Sequence, residues 1–202
     1  MRISAADLLS CCGWCGYGCG GGYSDVAMNY WYRKGIVTGW LYNTTGYCYP
    51  YQFAPCDHHT EGKYGPCDKT RGTPECVEKC IPGYDKAYKD DRHAAKTVYR
   101  VPSQESKIQS ELMTYGPIEV MFTVFEDFLT YKSGVYHHTH GKKVGLHAVK
   151  MLGWGVENGT KYWLIANSWN EDWGDKGFFK IRRGIDECGI ESQGVAGIPL
   201  FE

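Results

Sequence analysis

The sequence lacks any charge bias: 22 basic residues face 23 acidic ones, for a formal net charge of −1 at pH 7. No basic stripe offers itself to nucleic acid, and no acidic tail invites a charge-driven partner. It also lacks an apolar run long enough to cross a bilayer, which excludes a membrane-spanning reading. The opening residues, Met1-Arg2-Ile3-Ser4-Ala5-Ala6-Asp7, hold none of the apolar stretch that heads an exported chain. Internal repeats and low-complexity segments are absent as well.

What is present is cysteine, glycine and aromatic side chains: 10 Cys, 26 Gly, 16 Tyr, 7 Trp and 7 Phe in 202 residues. That composition describes a loop-rich, well-packed globular chain, long enough for one sizeable core or two lobes sharing a cleft. Nine of the cysteines lie between Cys11 and Cys80, and only Cys188 stands apart. Such density points to an oxidising compartment and a disulfide-stapled region. The sequons Asn43-Thr44-Thr45 and Asn158-Gly159-Thr160 fit a secretory route. A disulfide-rich chain without an export signal is inconsistent, so residues are expected before Met1.

Local patterns divide the chain. Ser4-Ala5-Ala6-Asp7-Leu8-Leu9 predicts a short helix with a capping start, and Ser24 to Lys34 a second one closed by Gly35 after a basic last turn. Cys11 to Gly22, with six Gly and four Cys, is too glycine-rich for regular structure. From Trp40 to about Lys89 there is little periodicity, and the cysteines are expected to supply the cross-links. A third helix is predicted over Gln104–Tyr115, stopped by Gly116-Pro117. Strands are predicted at Ile118–Phe125, His147–Val156, Tyr162–Ala166 and Gly177–Gly184, with Asn158-Gly159 as a two-residue hairpin turn. The first half thus reads as helix and loop, the second as antiparallel sheet, with a cleft between two lobes as the default site.

Two residues stand out chemically. His147 lies on an apolar strand, and Asn167 follows twenty residues later beside Trp169. A strand histidine can take a proton from a thiol, and an asparagine amide can hold its imidazole in one tautomer. Taken alone, His147 reads first as a core histidine, Asn167 as a strand-end residue and Trp169 as a packing residue. A nucleophilic cysteine would complete a set of three.

Cys19-Gly20-Gly21-Gly22-Tyr23, Gly145-Leu146-His147-Ala148-Val149, Gly153-Trp154-Gly155, Tyr162 through Trp169, Trp173-Gly174 and Gly177 through Arg182 together resemble papain-family cysteine proteases. Cys56-Asp57-His58-His59 in a cysteine-bounded insertion, with Cys188-Gly189-Ile190-Glu191-Ser192, resembles the cathepsin B branch. The resemblance covers essentially all 202 residues. It implies an α+β fold of papain-like type with two lobes: a disulfide-rich helix-and-loop lobe over about 1–100, with an occluding loop near 48–80, and a β-barrel-like lobe over about 101–202. It implies peptide or protein substrates, possible recognition by cystatin-like inhibitors, no cofactor and no metal, and a secreted or lysosomal setting for the full-length protein.

The resemblance also assigns roles. His147 would be the base and Asn167 its orienting partner, with Trp169 shielding their bond. Gly21 and Gly22 would bind extended substrate through backbone groups; their plainer reading is turn geometry. His58 and His59 would bind a substrate's C-terminal carboxylate and favour dipeptide removal; they could also be ordinary exposed loop residues. With Cys56 and Cys67 nearby zinc is an alternative, but the secretory context favours a disulfide. Asp172 matches an acid that latches the loop, while Tyr64 stands where its arginine partner is expected. Leu146 replaces a glycine. Gln193 replaces a pocket glutamate, which removes the ion partner that would admit arginine.

The resemblance pairs Cys11–Cys76, Cys12–Cys15, Cys48–Cys80 and Cys56–Cys67, leaves Cys188 free, and sends Cys19 to a partner outside this sequence. The family's nucleophile segment is not found here. Cys12-Gly13-Trp14-Cys15-Gly16 imitates it at the usual distance from His147, yet an aromatic replaces the small residue and no amphipathic helix follows. The expectation is therefore a peptidase domain lacking its N-terminal part and inactive as it stands. The alternative is a non-catalytic secreted binding protein that keeps the substrate groove.

Overall fold

A computed structural model describes residues 1–68 and 72–201, so residues 69–71 of the expected loop near 48–80 lie outside the described residues. The chain divides into two compact units, one of 1–55, 68–99 and 197–202, the other of 56–67 and 100–196.

The first unit starts with α1 (Ala5–Cys11). Ser4 caps it in extended conformation: its Oγ accepts the Asp7 N–H at 3.0 Å and donates to the Tyr49 carbonyl at 2.6 Å. One hydroxyl thus satisfies a helix end and ties it to a residue 45 positions away. The buried Asp7 carboxylate accepts the Val37 N–H at 3.2 Å and the Tyr88 hydroxyl. Ala6, Val37, Cys48, Tyr49 and Tyr88 form a small core around these bonds. The second helix, α2 (Ser24–Lys34), closes at Gly35, whose φ of +71° suits glycine, after Arg33 and Lys34.

From Trp40 to Ala87 no α-helix or strand occurs among the described residues. Cross-links replace the missing ladders. Cys11–Cys76, Cys48–Cys80, Cys56–Cys67 and Cys12–Cys15 span separations of 65, 32, 11 and 3 residues. Loop-closure entropy alone assigns them about 4, 4, 3 and 2 kcal/mol.

The sheet follows with β1 (Ala95–Val101). Then come α3 (Glu105–Thr114), β2 (Ile118–Phe125), α4 (Glu126–Leu129), β3 (Val135–Tyr136), β4 (Lys143–Glu157), β5 (Thr160–Ala166), β6 (Phe178–Arg182) and β7 (Gly194–Pro199). The order across the seven-stranded sheet is β1-β7-β2-β4-β5-β6-β3. The boundary between the units falls inside β1 and inside β7.

Strict alternation makes β2 half-buried: Ile118, Val120, Phe122 and Val124 face inward. Asn158, at φ +48°, and Gly159, at φ +77°, turn β4 into β5 as their sequence predicts. Ile108 and Leu112 bury one face of α3. Phe122, Phe128, Trp163, Trp173, Phe179, Ile165 and Ile181 fill the core of this unit.

The sheet departs from the expected antiparallel pattern at β3, which pairs with β6 in parallel. Two strands intervene in sequence between them, so no hairpin dictates their relative direction. The short β3, and β1 and β7 with their polar or glycine-containing sequences, carry no clear period and were not legible as strands.

Ser4→Ala should cost about 1–2 kcal/mol in urea unfolding, since it removes the cap and strands the Tyr49 carbonyl. Ser110→Ala, on exposed helix surface, should change stability by less than about 0.5 kcal/mol.

Candidate active site

Register places the site. His147 sits on β4 opposite Phe122 of β2, and Lys150 of β4 opposite Ala166 at the end of β5. A bulge between Met151 and Gly153 resets β4 against β5. Asn167 is the first residue past β5 and is anchored by its N–H donating to the Gly177 carbonyl at 2.9 Å. His147 Nε2 and Asn167 Oδ1 lie 2.8 Å apart.

The direction of that bond follows from its neighbour. The Ser168 backbone N–H points to the same Asn167 Oδ1 at 2.8 Å, and a backbone N–H can only donate. The amide oxygen, not the nitrogen, therefore faces His147. Nε2 must then carry the hydrogen, leaving the Nδ1 lone pair free to receive a proton. Burial pushes the His147 pKa below its ordinary value; the Asn167 bond opposes this, and the nearby His59 charge adds to it. The imidazole is thus held neutral, as a base.

Trp169 stacks on the imidazole, with ring centroids 4.9 Å apart and planes at 17°. Beneath it lie Phe128 at 5.7 Å and Trp173 at 5.0 Å. On the other strand face Leu146 is exposed.

The segment Cys56–Cys67 joins the same unit. His59, in left-handed conformation at φ +56°, packs on Trp169 at 4.7 Å between centroids, and His58 lies 6.4 Å from His59. Burial lowers the His58 pKa, and the charges of His59 and His147 lower it further against Asp57. Three histidines thus share one electrostatic neighbourhood. Cys56, His58 and Cys67 donor atoms lie within 4.8 Å of one another. The two sulfurs are joined as a disulfide, so they offer no thiolate to a metal.

Two loop residues were missed in the sequence. Buried Asp57 accepts the N–H groups of Gly62 at 3.0 Å, Tyr64 at 3.3 Å and Gly65 at 2.7 Å, and so shapes the loop from inside. An aspartate followed at short range by glycines was the available signal. Asn170 Nδ2 donates to the Cys56 carbonyl. Asp172 meets the loop through the Lys63 N–H at 3.5 Å, while Tyr64 is 44% exposed. A backbone amide thus takes the place of the expected arginine.

The remaining candidates lie apart from this cluster or in the other unit. Gln193 is exposed beyond the buried Glu191, which accepts the Trp163 Nε1–H at 2.7 Å. Gly21 and Gly22 belong to the first unit, where Gly22 pairs with Gly16. Cys188 is a free thiol whose pKa is pushed up to about 12 by burial and the Glu187 carboxylate. Cys19 is free and exposed.

Comparison with known proteins shows the family of the chain. A model of the papain family cysteine proteases matches residues 1–198. The chain is 53% identical over 198 residues to a cathepsin B-like cysteine proteinase of Schistosoma japonicum, covering 98% of this chain and 58% of the relative. It is 52% identical over 202 residues to cathepsin B-like cysteine proteinase 6 of Caenorhabditis elegans, covering 98% of this chain and 53% of the relative. Among solved structures, procathepsin B S9 of Trypanosoma congolense superposes with a TM-score of 0.83 at 37% identity, over 100% of this chain and 61% of that one. The chain spans a little over half the length of these curated relatives.

Because folding lowers the His147 pKa, the unfolded chain binds the extra proton in the interval just below 6.5. The stability contributed by neutral His147 is therefore present above about 6.5 and lost as pH falls through the folded value. Thermal unfolding of His147→Gln should show a shallower acid loss of Tm than the parent. In NMR titration His147 should have its midpoint below 6.5, and Asn167→Ala should lower it further; a rise would contradict the assigned bond.

Proposed function

Since the chain belongs to the papain family of cysteine proteases and is cathepsin B-like over nearly its whole length, we propose that it supplies the base half of a cysteine-peptidase site. His147 is the general base and acid, Asn167 its orienting residue, and Trp169 the cover over their bond. The observation carrying this reading is the Asn167 oxygen, fixed by the Ser168 N–H and accepting from His147 Nε2. In the reaction a thiol gives its proton to Nδ1, and the thiolate attacks the peptide carbonyl. The imidazolium then protonates the leaving amine, and water releases the acyl group.

The nucleophile is not among the ten cysteines of this sequence. Eight are bridged. Cys188 is shifted in the direction opposite to an activated thiol, and Cys19 lies exposed in a glycine-rich turn of the first unit, whereas His147 belongs to the second. These 202 residues alone therefore do not hydrolyse peptides. Substrates are peptides or proteins whose backbone lies along Gly21 and Gly22, and cystatin-like inhibitors are the matching partners. His58 and His59 receive the C-terminal carboxylate for dipeptide removal. Because Asp172 holds the loop through a backbone amide and not an arginine, the loop also yields to endopeptidase substrates. A secreted or lysosomal setting suits the four bridges. Among the described residues no helix is long and apolar enough to cross a membrane.

The test uses a chimera joining this segment to the nucleophile-bearing part of a cathepsin B-like relative, alongside the 202-residue chain. The chimera should cleave fluorogenic peptides and lose at least about 100-fold in kcat on His147→Ala. The chain alone should show no turnover, and an electrophilic thiol reagent should label only the exposed Cys19, at a rate unchanged by His147→Ala. Turnover by the chain alone, with one cysteine selectively labelled, would refute the assignment of the nucleophile. An inactive chimera that still binds cystatin would favour the non-catalytic binding protein. At the second substrate position the chimera should prefer Phe over Arg, and Gln193→Glu should shift the preference toward Arg; equal or better turnover of the Arg peptide by the unmutated chimera would remove Gln193 from the pocket.

A further inference from the structure

Cys12-Gly13-Trp14-Cys15 has no part in the function above, yet its disulfide differs from the other three in kind. It closes over a separation of 3 residues, where the others close over 11, 32 and 65. Opening it releases almost no chain, whereas opening Cys11–Cys76 or Cys48–Cys80 frees the segments that have no helix or strand to hold them. We propose that Cys12–Cys15 is a thiol–disulfide exchange site for dithiol reagents, including proteins of the Cys-x-x-Cys class, and that it opens and closes while the rest of the fold stays in place.

Three observations carry this. First, access is one-sided. Cys12 is 5% exposed in a cluster with Tyr30 and Ile36, while Cys15 is half-buried at its margin. A Cβ built on the intervening Gly13 would meet nothing within 4 Å, and Trp14 is half-exposed, so one side of the small ring lies open. Second, both products have a place. A neutral Cys12 thiol remains among apolar neighbours, an environment that suits it, and a Cys15 thiol can turn to water. Third, the bridge is coupled to its surroundings through Cys15. The Cys15 carbonyl accepts the Tyr23 N–H at 2.9 Å, Gly16 pairs with Gly22, and the Tyr17 N–H donates to the Gly21 carbonyl at 2.7 Å. A Cβ on Gly22 would lie 2.6 Å from the Cys15 oxygen, which shows how closely the two backbones approach.

The chemistry balances without a further reactant. A thiolate of the dithiol attacks Cys15 Sγ, the Cys12–Cys15 bond breaks, and its electron pair leaves on Cys12 Sγ, which takes a proton. The reagent's second thiol then attacks its own sulfur in the mixed disulfide and releases Cys15 as a thiol. The protein gains two electrons and two protons, and the dithiol becomes a disulfide. Release of Cys15 loosens the turn carrying Gly21 and Gly22. An effect on peptide binding rests on the role proposed for those glycines; the exchange itself does not.

The test is differential alkylation of the oxidised protein. Free thiols are blocked, the protein is equilibrated with graded dithiothreitol, and newly exposed cysteines are labelled and mapped by mass spectrometry, with Tm followed in parallel. Cys12 and Cys15 should be labelled at concentrations at least ten-fold below those that label any other bridged pair, with Tm falling by less than about 8 °C and the unfolding transition kept. Reoxidation should reverse the labelling, and amide exchange should quicken at Gly21 and Tyr23 in the reduced form. The proposal is overturned if Cys11–Cys76, whose Cys76 end is exposed, opens first, or if Cys12–Cys15 opens only together with the others and with loss of the cooperative unfolding transition. The readout involves no peptide hydrolysis, so its failure is distinguishable from failure of the peptidase reading.

Discussion

A backbone N–H can give a hydrogen and cannot accept one, and the candidate site depends on that asymmetry at Ser168. Its N–H selects the oxygen of the Asn167 amide, the oxygen selects the hydrogen on His147 Nε2, and the remaining nitrogen becomes a base. Each step removes a degree of freedom that the isolated side chains possess. The choice of tautomer therefore originates in the backbone just beyond β5, not in the histidine.

That backbone is held by apolar packing. Phe122, Phe128, Trp173 and Phe179 form an aromatic floor, and Trp169 lies between this floor and the two histidines, His147 and His59. Desolvation by the same aromatics lowers the His147 pKa. Structural support and chemical tuning thus come from one set of side chains. The loop of residues 56–67 follows a different principle, with an internal carboxylate and a disulfide organising a short stretch that has little core of its own.

Much of this was legible in advance where a local rule decides the outcome. Ser4 before Asp7, Gly35 after Arg33-Lys34, and Asn158-Gly159 between two apolar runs each settle their own neighbourhood. His147, Asn167 and Trp169 were visible through their chemical types and the motifs around them. Asp57 was not, because its partners are backbone amides, which every residue possesses. Nor was the parallel pairing of β3 with β6, since two valine–tyrosine residues carry no period. That Tyr64 stands where the resemblance expects an arginine was readable, but the contact of Asp172 with the Lys63 N–H was not, for the same reason as Asp57.

By itself the sequence determined the α+β class and the helices and hairpin with local punctuation. These follow from composition and from interactions a few residues long. Only the tertiary structure decided which atom of Asn167 faces His147, that burial lowers that imidazole's pKa, and how Asp57 folds its loop. Those depend on groups far apart in the chain, and on backbone donors and acceptors that are identical in every residue and acquire meaning only by position.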